Sequence, residues 1–321
     1  MLEYCVVAGL VSFFATLMAT KVLIPQMLKA GITGEDENKR KRPKIPSMGG
    51  IAIVLGLSAG ILFLVFAYSG FLGFDLIYVL AGLITILLIA IIGIIDDLFP
   101  IPQWMKATLP LFTAIPLIVV KAGTTTMLIP FYGAVDFGLA YTLLFIPLGV
   151  AVASNLTNML AGYNGQETGM GVVIFFTVTL LGVWHTSPEM LIIAVPMLGA
   201  LLAFYNYNRF PAMVFTGDVG NLTIGGALAV AVIIGNLETA GALLMLPYIL
   251  DFFIKAKNRF PHTYQDLKGK KLYPKDQRIK GLAHVLMRLN GGITEPNLAR
   301  ACIVMEIAVA VFTLGVMGWS L

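Results

Sequence analysis

Carboxylate and amide side chains are sparse in this chain and gather in short clusters: Asp96-Asp97, Asn155 with Asn158 and Asn164, and Asp218, with a basic stretch from Lys255 to Arg288. Carboxylate and amide oxygens are hard donors that suit Mg2+, which takes one or two carboxylates and completes its shell with water and substrate phosphates. Each piece alone also has a plainer reading. An acidic pair after a helix fits a solvated loop, Thr216-Gly217-Asp218 fits a helix N-cap, and Lys106 fits a lysine snorkelling at a membrane boundary. The case for shared chemistry rests on where the surrounding elements would carry these residues.

Those elements are apolar. Of 321 residues 58% are hydrophobic and 12% charged, against roughly 45–50% apolar in a soluble domain, and the mean hydropathy is +0.89. A hydrocarbon core about 30 Å thick needs roughly 20 helical residues. Ten runs approach that length: about Leu2–Gln26, Met48–Tyr68, Leu76–Ile95, Gln103–Val120, Leu139–Ala153, Gly169–Trp184, Met190–Tyr207, Asn221–Gly235, Thr239–Ile254 and Leu298–Trp319. They are continuous rather than alternating, which favours helices over a barrel. The expectation is an all-α polytopic membrane protein of about ten transmembrane helices, forming one domain over residues 1–321. The first run lacks a basic n-region and an A-x-A site, so it is expected to be a retained helix.

Basic residues orient this plan. Loop one carries Lys29, Lys39, Arg40, Lys41, Arg42 and Lys44, loop nine most of the others, and Arg209 sits in loop seven, while the opposite loops are nearly devoid of Lys and Arg apart from Lys121. By the positive-inside rule the odd loops, including a long loop over 255–297 between helices 9 and 10, are cytoplasmic and both termini lie outside. This topology accounts for the net charge of +4 and leaves no reason to invoke nucleic acid. A carboxylate at the centre of a membrane helix costs about 2.5–3.5 kcal/mol, which places Asp96-Asp97, Asn158 and Asp218 at the cytoplasmic ends of their runs. Three distant segments thus deliver oxygen donors to one membrane level.

At this point the residues carry a resemblance. "DDLFPIPQWMK" from Asp96, "NLTNMLAGYNGQE" from Asn155 and "VFTGDVGN" from Val214 resemble the three signatures of the polyprenyl-phosphate N-acetylhexosamine-1-phosphate transferases, and "KRPKIPSMGGIAI" from Lys41 resembles that family's first cytoplasmic loop. The resemblance implies a Mg2+-dependent enzyme, with Mn2+ as the alternative ion, that moves a sugar-1-phosphate from a UDP-sugar to polyprenyl or dolichyl phosphate and releases UMP. It implies Asp218 and Asn158 as metal ligands, Asp96 and Asp97 as groups orienting metal or acceptor phosphate, and Lys106 as a phosphate-neutralising cation. Whether one of the acidic pair is a nucleophile or a positioning group stays open. Asn164 would hydrogen-bond uracil and Phe215 would stack on it. A homodimer follows by analogy alone.

Loop nine lacks the dense histidine cluster of the bacterial branch and resembles the archaeal and eukaryotic GlcNAc-1-phosphate branch instead. Arg259 and His262 in this loop, with Glu167 from the second motif, are the candidates for sugar and diphosphate contact. That branch implies UDP-GlcNAc as donor, with another UDP-N-acetylhexosamine as the alternative, and an archaeal or other prokaryotic cell membrane, with the endoplasmic reticulum as the alternative. Within loop nine, "RIKGLAHVLMRLNGG" reads as an interfacial helix with Ile279, Leu282, Val285, Leu286 and Leu289 on one face and Lys280, His284 and Arg288 on another. Outside, Gly123 to Gly138 reads as a small β-hairpin. Cys5 and Cys302 fall in apolar runs and read as buried thiols. The competing class is a secondary transporter, whose polar residues would sit near the midplane on broken, repeated helices; here the acids lie at helix ends.

Overall fold

The computed structural model describes residues 1–321 except 72, 100, 130–131, 261–264, 276–277 and 319–321, with backbone alone at 68–71. In chain order, α1 (Leu2–Ala30), α2 (Gly50–Phe71) and α3 (Leu76–Leu98) precede two short helices, α4 (Gln103–Thr113) and α5 (Ile115–Val119). A π-helical turn, Tyr141–Phe145, runs into α6 (Ile146–Leu160), followed by α7 (Gln166–Trp184), α8 (Pro188–Asn208) and α9 (Gly217–Ile234). The chain continues through α10 (Glu238–Leu244), α11 (Leu246–Lys257), α12 (Leu282–Leu289) and α13 (Glu295–Gly318). Three antiparallel hairpins complete the described residues: β1 (Thr33–Glu35) with β2 (Lys44–Pro46), β3 (Thr126–Ile129) with β4 (Gly133–Asp136), and β5 (Gln265–Lys268) with β6 (Lys271–Pro274). This is an all-α polytopic membrane protein.

Among the described residues, eight helices are long and apolar enough to cross a membrane: α1, α2, α3, the π turn with α6, α7, α8, α9 and α13. The other two expected runs are broken. The fourth splits into α4 and α5, with Pro116 opening the second piece, and the ninth bends by 58° between α10 and α11, where Pro247 opens α11. Proline lacks the N–H that would continue the ladder and its ring crowds the preceding turn, so both breaks have a local cause. The fifth and eighth runs are longer than their apolar content suggests. Asn155 and Asn158 lie inside α6, where Asn155 Nδ2 bonds the Ala151 carbonyl (2.8 Å) and Thr157 Oγ1 the Ala153 carbonyl (3.0 Å). Such bonds give these polar side chains a partner inside the helix, so it can include residues that hydropathy leaves out.

The core is arranged around α9, which packs on α2, α3, α6 and α8. It is 89% buried, against 22% for α1 and 28% for α13. The latter helices expose Phe14, Met18, Val304 and Val311, as a lipid-facing rim does. Close approach within the core relies on small residues, the usual device where lipid offers no hydrophobic contrast. At Gly93 of α3 an added Cβ would lie 2.4 Å from Val219 Cα of α9.

The two ends of α9 face different structures. Near Asn236, beyond its C-terminus, Asn236 Oδ1 accepts from the Thr124 N–H (2.6 Å) and Thr239 Oγ1 bonds the Leu128 carbonyl, which seats the expected β3–β4 hairpin. At its N-terminus meet loop one with β1–β2, the 161–165 turn, and loop nine with β5–β6; the β1–β2 and β5–β6 hairpins are not among the expected elements. The helix expected in loop nine is present as α12, with a different inner face: Leu282, Ala283, His284 and Met287 are buried while Leu289 is 78% exposed. Its Leu282 N–H bonds Asp251 Oδ1 (2.7 Å), and that anchor sets the rotation of the helix and turns His284 inward. Cys5 and Cys302 are free and buried.

Because Val219 opens α9, the contact at Gly93 also positions whatever that helix start carries. Gly93→Val should cost about 1–3 kcal/mol or more through overpacking, measured as a lower melting temperature of the detergent-purified protein. An unchanged melt would mean that α3 and α9 can part freely.

Candidate active site

The last turn of α3 carries Asp97 to the first turn of α9. Its Oδ1 accepts from the Asp218 N–H (2.9 Å) and its Oδ2 from the Val219 N–H (3.0 Å). The first N–H groups of a helix have no intrahelical partner and gather partial positive charge, so a carboxylate is favoured there twice over. Thr216, the cap suggested by the sequence, makes no side-chain cap; its hydroxyl donates instead to Glu167 Oε1 (3.0 Å). Gly217 permits the arrangement, with φ +73 and a position where a Cβ would meet Asp97 Oδ2 at 2.6 Å and Met48 Cα at 2.9 Å. Only glycine takes that conformation without steric cost.

Lys106, one turn into α4, lies 2.7 Å from Asp96 Oδ2 and 3.4 Å from Asp218 Oδ2. The Asp96 side chain is 1% exposed, whereas Lys106 and Asp218 are 25% and 28% exposed. Asp96 is therefore a counter-charge held behind Lys106, and Lys106 and Asp218 are the charges presented outward. A carboxylate as buried as that of Asp96 would be costly without such a partner.

Asn221 follows Asp218 by three residues and so shares its helix face. Its backbone carbonyl accepts from Thr157 Oγ1 (2.8 Å) and its Nδ2 donates to Asn158 Oδ1 (3.1 Å), which joins α6 to α9 beside Asp218. Asn221 Oδ1 is buried without a hydrogen-bond partner, an atom that calls for a further ligand. Among the described residues no three His, Cys, Asp or Glu side chains form a ready-made metal cage. The oxygen donors here are one outward carboxylate and two amides, a set that suits Mg2+ completing its shell on phosphate and water.

These groups line a cavity of about 1280 Å³ that also takes in Asn164, Glu167 and Phe215. The sequence candidates Asp97, Lys106, Asn158, Asn164, Glu167, Phe215 and Asp218 thus come together, with Asp96 directly behind. Phe215 is half-buried, its N–H bonded to the Pro46 carbonyl (2.8 Å) and its own carbonyl to the Gly49 N–H (2.9 Å). Gly34 of β1 lies beneath the ring, where a Cβ would stand 3.3 Å from Phe215 Cδ2. Glu167 Oε2 is buried without a hydrogen-bond partner. Burial raises the Tyr163 phenol above its ordinary range, keeping it a neutral donor to Gln265 Oε1 (3.4 Å). On the apolar side the lining is Leu148, Val152, Ile249, Phe252 and Phe253. An adjoining, almost wholly apolar cavity of about 290 Å³ shares Leu148, Val152 and Ile249.

Two sequence candidates are not brought in. Arg259 is exposed and absent from the cavity lining, because the chain leaves α11 through a turn in which Arg259 (φ 59) points away and Phe260 lines the cavity. His262 lies outside the described residues. In their place the wall holds Lys255, paired with Asp251 (2.7 Å) and bonded to the Met159 carbonyl. Sequence reading passed over Lys255 as a topological charge. It also passed over Asn221, although the three-residue spacing from Asp218 was a usable signal.

The description "glycosyl transferase family 4" matches residues 79–236. A candidate UDP-N-acetylglucosamine–dolichyl-phosphate N-acetylglucosaminephosphotransferase of Saccharolobus solfataricus is 34% identical over 293 residues, covering 87% of each chain. This chain belongs to glycosyl transferase family 4. A second relative in the family, the UDP-N-acetylglucosamine–dolichyl-phosphate N-acetylglucosaminephosphotransferase of Dictyostelium discoideum, is 30% identical over 297 residues, 79% of this chain and 72% of that one. A third, the phospho-N-acetylmuramoyl-pentapeptide-transferase of Halalkalibacterium halodurans, is 30% identical over 308 residues, 84% and 91% of the two chains. The family match contains Asp96, Asp97, Lys106, Asn158, Asn164, Glu167, Phe215 and Asp218, while loops one and nine fall outside it.

Asp97→Asn turns an –NH2 group toward one of the two backbone N–H groups it now serves. The expected loss is about 1–3 kcal/mol, the cost of an unpaired buried donor, read as a reduced melting temperature. Wild-type stability would show that water can replace the carboxylate at the start of α9.

Proposed function

We propose that this family member transfers a sugar-1-phosphate, GlcNAc-1-phosphate by the names of its relatives, from a UDP-sugar to polyprenyl or dolichyl phosphate, releasing UMP. The observation that carries the reading is one cavity with two chemistries. Asp218, Lys106 and the Asn158–Asn221 pair line it together with Leu148, Val152 and Ile249, which also line a second, apolar cavity beside it. A substrate pair made of a polar nucleotide-sugar and an amphiphilic lipid phosphate needs such a site.

In the proposed reaction an acceptor phosphate oxygen attacks the sugar-linked phosphorus in line, a P–O bond forms there, and the anhydride P–O bond to UMP breaks. Phosphoryl transfer of this kind depends on positioning and charge neutralisation. Lys106 offsets phosphate charge, and Asp96 holds Lys106 in place. Asp218, Asn158 and Asn221 would hold Mg2+, which when bound neutralises and orients the diphosphate. Asp97 spends both oxygens on backbone N–H groups, which supports a positioning role over a nucleophilic one. Phe215 offers uracil a flat face and Asn164 its amide.

The cytosolic orientation rests on charge. Loops one and nine, which hold Lys39 to Lys44 and Lys268 to Lys271, both meet at the site end of α9, and basic loops are retained inside. UDP-sugars would then reach the cavity from the cytosol.

The test is UMP release by purified protein from UDP-GlcNAc with polyprenyl phosphate and Mg2+. Release without the lipid, or none with all three, sinks the proposal. Asp218→Asn should lower kcat on the order of a hundredfold, the size typical of losing one electrostatic stabiliser, without loss of folding; full activity at limiting Mg2+ would remove Asp218 from the metal site. At position 215 the stacking contribution is about 1–3 kcal/mol, so Phe215→Leu should raise the UDP-sugar KM more than Phe215→Trp does. Equal affinities would assign the position to apolar filling.

A further inference from the structure

Asn164 is not a freely rotating amide. Its Nδ2 donates to Asp36 Oδ2 (3.2 Å) and its backbone N–H to Glu295 Oε1 (3.1 Å). Asp36 is 3% exposed and Glu295 4%. Between these two acids lies Lys39, paired with Asp36 and 3.3 Å from Glu295 Oε2, with its ammonium 4.7 Å from the centre of the Phe210 ring. Asn38 adds bonds to the Gly162 carbonyl (3.1 Å) and Glu295 (3.4 Å) and accepts from Gln265 Nε2. Loop one, the 161–165 turn, the start of α13 and β5 are thereby tied at one point.

The chemistry of this tie is asymmetric. An asparagine amide has a donor end and an acceptor end, and which end faces a ligand is set by the partner of the other. A carboxylate paired with a lysine can only accept, so it takes the amide nitrogen. Asn164 Oδ1 is left as the end available to the cavity that the side chain lines, and no hydrogen bond to it is made among the described residues. We infer that Asp36, through Lys39 and Asn164, is the residue that sets base specificity: it fixes an acceptor toward the nucleobase and so selects a base with a ring N–H, uracil, over cytosine, whose corresponding nitrogen carries a lone pair. The inference rests on the proposed reading that Asn164 meets the base. Asp36 is a positioning residue in it, and Glu295 holds the same turn from the α13 side.

The experiment compares UMP and CMP as competitors of UDP-GlcNAc, using the full chain in detergent with polyprenyl phosphate and Mg2+. Asp36 Oδ2 meets both Lys39 and Asn164 Nδ2, so an amide at this position would still be held oxygen-first by the lysine; Asp36→Leu removes the acceptor and makes both orientations of Asn164 available. The preference for UMP over CMP should fall about fivefold or more, as when a site built around one hydrogen bond loses its polarity, while kcat at saturating donor stays within about threefold. The reciprocal exchange Asp36→Asn with Asn164→Asp keeps one acid and one amide in contact and presents an oxygen whichever way the acid turns, so it should keep the preference. A change of packing alone would not reverse in this way. A folded Asp36→Leu protein with undiminished preference, in a series where Asn164→Ala lowers it, overturns the role of Asp36 and leaves the base contact standing. An undiminished preference in Asn164→Ala overturns the base contact itself, and the inference with it. If Asp36→Leu does not fold, the exchanged pair decides: a folded double variant without preference for UMP overturns the inference.

Discussion

The carboxylate of Asp97 against the first N–H groups of α9 is the bond on which the site is hung. It ties the end of one membrane helix to the beginning of another across 121 positions of sequence, and does so with the strongest kind of acceptor at the most electropositive point of a helix. Everything at the polar wall follows from where α9 begins. Asp218 leaves the helix in its first turn, Asn221 stands one turn further along the same face, and Lys106 is drawn between Asp218 and the buried Asp96. Gly217 and Gly93 are the steric conditions for this bond, one beside the carboxylate and one beneath Val219.

A central helix that is 89% buried is a good foundation for such a site. Its far end is fixed by packing, so its polar end cannot drift, and polar atoms at that end avoid the cost of depth. The broken pair α10–α11 serves the opposite need. Bent at Pro247, it places Ile249, Phe252 and Phe253 beside the polar wall.

The membrane class, the hairpin between Gly123 and Gly138 and the common level of Asp96, Asp97, Asn158 and Asp218 were legible in the sequence, because depth costs and hydropathy act locally, while Asn164 and Phe215 were legible through the family resemblance. What each residue does at that level was less legible. Asp97 is expected from sequence to orient metal or acceptor phosphate and in space caps α9, which only tertiary packing can bring about. Loop one reads as positive charge alone, yet it is an acid within it, Asp36, that makes the contact to the Asn164 amide. Hydropathy cut α6 and α9 short at the ends that carry Asn155, Asn158, Gly217 and Asp218. The β5–β6 turn at Gly269-Lys270 did carry a signal, a glycine ahead of one residue between two short runs, with φ +66 at the glycine. The α12 rotation carried none, because it is set by Asp251, some thirty residues away.

The apolar side of the cavity, which shares Leu148, Val152 and Ile249 with the smaller pocket, has a kinetic consequence for the proposed reaction. A partner that never leaves the bilayer searches for this opening by lateral diffusion in two dimensions. Its effective concentration is then its mole fraction in the leaflet, so diluting it with inert lipid would slow encounter while adding buffer would not. The water-soluble partner obeys the ordinary volume concentration. The enzyme would thus read two supplies on two separate scales, one set by the cytosol and the other by the composition of the membrane around it.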